Sequence, residues 1–157
     1  ALERAPDDLP LKLAAAAFFH RRGQPARERA LLRQVLETTD PEPDLVSVSH
    51  HRRALSFAAE GRIDEARRAI EAALAVDVDA TDWRGHPYYR LELGPVTACW
   101  LRLEAAGIEF DAGDPARALA AMQRVRDDCP LAGRLASRML ELEARAVLAA
   151  PRVAPAD

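Results

Sequence analysis

The stretch FAAEGRIDEARRAIEAAL, residues 57–74, decides the fold. Gly61 is followed five, nine and twelve residues later by Ala66, Ile70 and Ala73, and Phe57 stands just before it. A second stretch, FDAGDPARALAAMQRVRDDCP at residues 110–130, repeats the arrangement. There Gly113 is followed by Ala118, Met122 and Val125, Phe110 precedes it and Pro130 closes the segment. Apolar residues at these intervals share one face of a helix, and a glycine ahead of them permits a tight turn out of a preceding helix. The recurrence predicts a helix–turn–helix unit used more than once.

Composition points the same way. The chain has 157 residues, 49% of them apolar and only 5% aromatic. That length suffices for one domain with a real core. Alanine, leucine and arginine dominate, and these side chains lose little freedom in a helix. Strand-like runs of Val, Ile and Thr are absent, so the expected fold class is all-α. Net charge is −3, from 22 basic and 25 acidic residues, and Lys12 is the only lysine. Mixed signs predict a solvated surface rather than a nucleic-acid face. No apolar run approaches the roughly 20 residues that span a bilayer.

Working outward from the repeat, residues 1–8 read as a leader or linker, with Asp8 capping a first helix that reaches about Arg22. Gly23 ends it, and Pro25 opens a second helix carrying Leu32, Val35 and Leu36. The segment Asp40-Pro41-Glu42-Pro43 stops that helix. Asp44 is expected to cap a third helix, and Gly61 leads into a fourth with Asp64 and Arg68 paired on its outer face. Thirty-eight residues separate Gly23 from Gly61, but fifty-two separate Gly61 from Gly113. The longer interval places an irregular insertion at about 77–94. A fifth helix, with Pro95 in its first turn, is expected to run to Asp111 and display Trp100, Leu103, Gly107 and Phe110. A sixth begins at Asp114-Pro115. A seventh, opened by Pro130, is expected to turn Leu131, Leu135, Met139 and Leu142 inward and to pair Glu141 with Arg145. Residues 151–157 read as a disordered tail.

These spacings resemble the tetratricopeptide repeat family, whose period is about 34 residues. The resemblance covers roughly residues 9–150. It implies three helix–turn–helix pairs plus a C-terminal capping helix. In each pair a small residue, Ala54 or Gly107, lets the second helix approach, and Ala66 and Ala118 lie where paired helices cross. The first pair departs from the pattern, with Glu28 where a small crossing residue is expected. By resemblance, the first helix of each pair lines a concave groove. In this chain that face would comprise Leu13, Ala17, Val48, His51, Leu55, Trp100 and Leu103. Family members that clamp a C-terminal carboxylate do so with asparagines and basic residues. This chain contains no asparagine, which argues against that form of recognition and points to another kind of partner.

Other motifs carry less. Trp83, Tyr88 and Tyr89 concentrate aromatic surface in the insertion, where they suit either partner binding or plugging of the gap between the second and third pairs. His50-His51 invites a metal site with His86 and Asp79 or Asp82, but adjacent helical residues diverge and three converging ligands are needed. Cys99 and Cys129 fall at the start of one helix and the end of its partner. They read as two buried thiols of a reducing compartment, although the antiparallel arrangement could bring them together as a disulfide if the chain is exported. There is no glycine-rich phosphate loop, Gly-x-Ser-x-Gly or His-Glu-x-x-His.

The expectation is therefore a non-enzymatic scaffold or adaptor without cofactor or metal. It would bind another protein or peptide, with homo-oligomers possible and no nucleic acid or membrane span. The alternative is a helical sensor or regulatory module of a larger multidomain protein. A cytoplasmic location is expected, with export left open because the chain starts at Ala1.

Overall fold

The computed structural model describes residues 7–76 and 96–149. Expectations for residues 1–6, the 77–94 insertion and the 151–157 tail lie outside the described residues. Among the described residues seven helices follow in chain order: α1 Leu9–Arg21, α2 Pro25–Leu36, α3 Pro43–Ala58, α4 Ile63–Leu74, α5 Ala98–Asp111, α6 Pro115–Asp128 and α7 Gly133–Ala149. Among the described residues all regular structure is helical, as the composition predicts.

The turns joining α1 to α2, α3 to α4 and α5 to α6 are chemically the same. Gly23, Gly61 and Gly113 occupy the left-handed region, with φ of 63°, 72° and 75°. Each glycine N–H donates to the carbonyl three residues back, and the following N–H donates five back, to Phe19, Phe57 or Glu109, at 2.9–3.0 Å. This pair of bonds satisfies carbonyls that a helix C-terminus leaves open. Asp8, Thr97 and Asp114 cap the next helices from their side chains, accepting from the N–H groups of Leu11, Trp100 and Arg117.

Three starts differ from expectation. α3 begins at Pro43, so Asp44 lies in its first turn rather than at the cap. α5 begins at Ala98 because the Thr97 hydroxyl accepts the Trp100 N–H at 3.2 Å. α7 begins at Gly133, and Leu131, ahead of the helix, is exposed instead of inward.

The helices pair as α1–α2, α3–α4 and α5–α6, and α1, α3, α5 and α7 also touch in succession. α5 stands between two cores. Leu101, Ala105 and Ile108 face a cluster built from α1–α4 with Leu13, Leu32, Val48, Phe57 and Ile70. Leu103, Ala106 and Phe110 face a second cluster with Met122, Val125, Met139 and Leu142. These two sets are each spaced at helical intervals on different faces of one helix.

Charged seams join the hairpins. Glu28 is 1% exposed. Its Oε1 accepts from Arg52 Nε and Nη2 at 3.1 and 2.9 Å, and its Oε2 lies 3.0 Å from His20 Nδ1. The residue that breaks the repeat pattern thus fastens α2 to α1 and α3. Arg67 of α4 donates to both oxygens of Glu109 of α5, at 3.0 and 2.6 Å. Arg138 of α7 does the same to Glu104 of α5, at 3.0 and 3.3 Å. Arg67 also reaches Asp64, which therefore pairs with Arg67 rather than Arg68. The expected Glu141–Arg145 pair is replaced as well: Glu141 meets Arg138, and Arg145 crosses to Asp111.

Two expectations about small and sulfur-bearing residues change. A Cβ on Gly107 would lie 3.1 Å from Arg138 Nη2 and 3.8 Å from Leu142, so this glycine makes room for α7 rather than α6. Cys99 and Cys129 form a disulfide with Cα atoms 6.0 Å apart, instead of two thiols. The antiparallel hairpin brings the first turn of α5 beside the end of α6.

Candidate functional site

The residues expected to line an open groove are largely spent on packing. Leu13, Ala17, Val48 and Leu103 are all 3% exposed or less. They are the apolar positions of α1, α3 and α5, and those helices bury them against their own hairpin partners and neighbours. Leu55 is half-buried. Trp100 is half-buried under the guanidinium of Arg134, 4.9 Å from its ring. Trp83, Tyr88 and Tyr89 lie outside the described residues.

His51 is buried and its pKa falls to about 3. Desolvation is the main cause, and Arg52, Arg134 and Arg138 oppose a further positive charge. Burial also lowers the pKa of His50, with Arg53 adding to the effect. His51 Nε2, His50 Nδ1, Ser49 Oγ and Trp100 Nε1 are buried without a hydrogen-bond partner. These polar atoms sit on α3 and α5. Among the described residues no group of three His, Cys, Asp or Glu side chains is placed to hold an ion.

A more open site lies where α4 and α6 both pack on α5. It is a cleft of about 520 Å³. Ile70 and Leu74 of α4, Ala105 and Ile108 of α5, and Ala120 and Ala121 of α6 give it an apolar lining. Arg67, Arg102, Arg117 and Arg124 stand around it, with Glu71, Glu109 and Asp128. Each helix contributes residues three or four apart: Arg67, Ile70 and Leu74; Arg102, Ala105 and Ile108; Arg117, Ala121, Arg124 and Asp128. The lining is thus continuous with the core: Ile70 and Ile108 are buried in it, Leu74, Ala105 and Ala121 are half-buried, and Ala120 is exposed.

The charges around the cleft are not equally engaged. Arg67 holds Glu109 at both oxygens, and the hydrogen bond to Glu109 raises the pKa of Arg67. Arg117 approaches the same carboxylate at 3.8 Å. Arg102 makes no ion pair among the described residues, and Arg124 donates only to the Ala120 carbonyl of its own helix, at 3.4 Å. The disulfide lies at one end of this site, one residue beyond Asp128 and three before Arg102. It fixes the spacing of the α5 and α6 ends that carry Arg102 and Arg124.

None of the described histidines touches the cleft, and its carboxylates are distributed among three different helices. Sequence reasoning missed Arg67, Arg102, Arg117 and Arg124. Their signal was a spacing of three or four residues from apolar positions of the same helix, legible only once it is known which helices flank α5.

No protein-family model, curated protein or solved structure matches this chain. Among the described residues no helix is long and apolar enough to cross a membrane.

Proposed function

We propose that this chain is a non-enzymatic interaction module, a tetratricopeptide-like stack of three helix pairs with α7 as its cap. It grips a peptide or partner domain of another protein. The identical glycine turns and the two layers of helices support that build. The observation that carries the function is the apolar-lined cleft between α4 and α6, open to solvent and bordered by arginines. Such a surface presents aliphatic contact area with polar groups at its edge, the usual anatomy of a recognition site. It replaces the inner face as the favoured binding surface because Ala120, Arg102 and Arg124 are exposed along it, whereas Leu13, Val48 and Leu103 of the inner face are buried. The disulfide fits an oxidising compartment better than the cytoplasm that the sequence suggested.

The exposed stripe of Leu140, Ala144, Val147 and Leu148 on α7 favours a second reading. In it, α7 packs against a neighbouring domain or a second copy, as an uncovered apolar face does.

Pull-down from source-cell lysate with the intact chain, Ala120→Arg and Leu55→Arg separates these readings, after circular dichroism establishes that each variant is helical. Capture lost only with Ala120→Arg supports the cleft. Capture lost only with Leu55→Arg returns the site to the inner face. Specific capture unaffected by either substitution moves attention to α7.

A further inference from the structure

We infer that the α4–α6 cleft takes an acidic amphipathic helical segment of a partner protein; this rests on the interaction reading above and names the partner's chemistry. Two features decide it. The first is the lining. Leu74, Ala105, Ala120 and Ala121 offer an aliphatic floor along three helices, with Ile70 and Ile108 buried beneath it, which suits the apolar face of an amphipathic helix laid into a groove. The second is charge. The whole chain is net negative at −3, yet four arginines and three carboxylates surround the cleft, so the sign reverses locally.

The engaged groups sharpen the argument. Glu109 is held by Arg67 and approached by Arg117 at 3.8 Å, which leaves Arg102 and Arg124 without a carboxylate partner among the described residues. Arg102, Arg117 and Arg124 are all exposed, and they flank the apolar strip from α5 and α6. Glu71 and Asp128 remain at the edge and disfavour a uniformly anionic ligand. A helix with carboxylates beside one apolar stripe satisfies both the floor and the free guanidiniums. A nucleic-acid strand meets Glu71 and Asp128 with phosphates and leaves the aliphatic floor unused. Arginine suits the task because its planar fork binds carboxylates at two points.

The test uses the full chain with its disulfide intact and three labelled helical peptides that share one leucine stripe. The stripe is flanked by Glu, by Gln or by Lys, and binding is followed by fluorescence anisotropy. The Glu peptide is expected to bind about tenfold more tightly than the Gln peptide, and the Lys peptide most weakly. That preference should shrink as salt rises. It should collapse in Arg102→Ala/Arg124→Ala, both exposed positions, while Ala120→Trp abolishes binding of all three. Equal binding of the Glu and Gln peptides overturns the acidic specificity and leaves the cleft as a docking site. Absence of all peptide binding overturns the inference. If the lysate partner is still lost with Ala120→Arg, the interaction reading survives that result. Tighter binding of a single-stranded oligonucleotide than of the Glu peptide also overturns the inference.

Discussion

The first two hairpins and the third hairpin with α7 solve the same problem by different chemistry. Between α2 and α3 the join is a buried charge network: Glu28, 1% exposed, accepts from Arg52 and lies beside His20. Phe57 lies nearby under the guanidiniums of Arg29, Arg53 and Arg62. Within α5–α6 the join is covalent, through Cys99 and Cys129, and the seam to α7 relies on Arg138, Arg145 and Arg126 reaching Glu104, Asp111 and Glu143. The buried network is strong only while every partner is present. The disulfide acts mainly by limiting the unfolded chain. The two halves should therefore break under different treatments.

The largest effect is expected from Arg52→Ala. It leaves the Glu28 carboxylate buried beside His20 alone, and removing one member of a buried pair costs about 3–5 kcal/mol. Urea denaturation should show this loss. The double variant Glu28→Leu/Arg52→Leu should recover most of it, because no unpaired buried charge remains. If the double variant is as unstable as the single one, packing rather than charge holds that seam.

Acid should act on the same half. His51 is neutral in the fold, with its pKa at about 3, against about 6.5 when unfolded. Above the unfolded value its neutral form adds no pH dependence. As pH falls below about 6.5 the unfolded chain binds the proton first, so stability drops until the folded pKa is reached. By pH 4 the loss is expected at about 3 kcal/mol. Stability measured from pH 7 to 4 should fall more steeply in the intact protein than in His51→Gln. Parallel curves would mean that His51 is not the titrating group.

Reduction should strike the other half. Opening the disulfide, or Cys99→Ser/Cys129→Ser, is expected to cost about 2–4 kcal/mol. The Arg52→Ala penalty should persist in the reduced protein, since its seam lies in the first two hairpins. Hydrogen exchange offers the sharper readout: protection should fall first at the start of α5 and the end of α6. Uniform loss along the chain would show that the two halves unfold as one unit.

Much of the fold is legible in the sequence. The glycine turns and the stripes Ala66-Ile70-Ala73 and Ala118-Met122-Val125 are local patterns, and the structure repeats them. What was not legible depends on long-range placement. Glu28 looked like a misfit because its main partner, Arg52, is 24 residues away. Leu13, Val48 and Leu103 looked available because an apolar position on a first helix can line a groove or fill a core, and only packing decides which. The cysteine spacing suggested proximity and left a disulfide open beside the reading as two buried thiols, and only the packed hairpin decides between them. The cleft was invisible for a related reason: Arg67, Arg102 and Arg124 come from three helices whose shared border exists only in the assembled fold.

The smallest effect completes the comparison. Arg33 and Glu37 on α2 form the same kind of pair as Arg52 and Glu28, but both side chains are 67% exposed and the separation is 3.7 Å. Water already solvates these charges, and holding two long side chains together costs entropy, so Arg33→Ala should change stability by less than about 0.5 kcal/mol. Measured beside Arg52→Ala, it keeps arginine truncation constant and varies burial. A large loss with Arg33→Ala would show that the α2–α3 region depends on its total charge. A negligible one, with Arg52→Ala severe, assigns the seam to desolvation of a single carboxylate that the repeat pattern had marked as out of place.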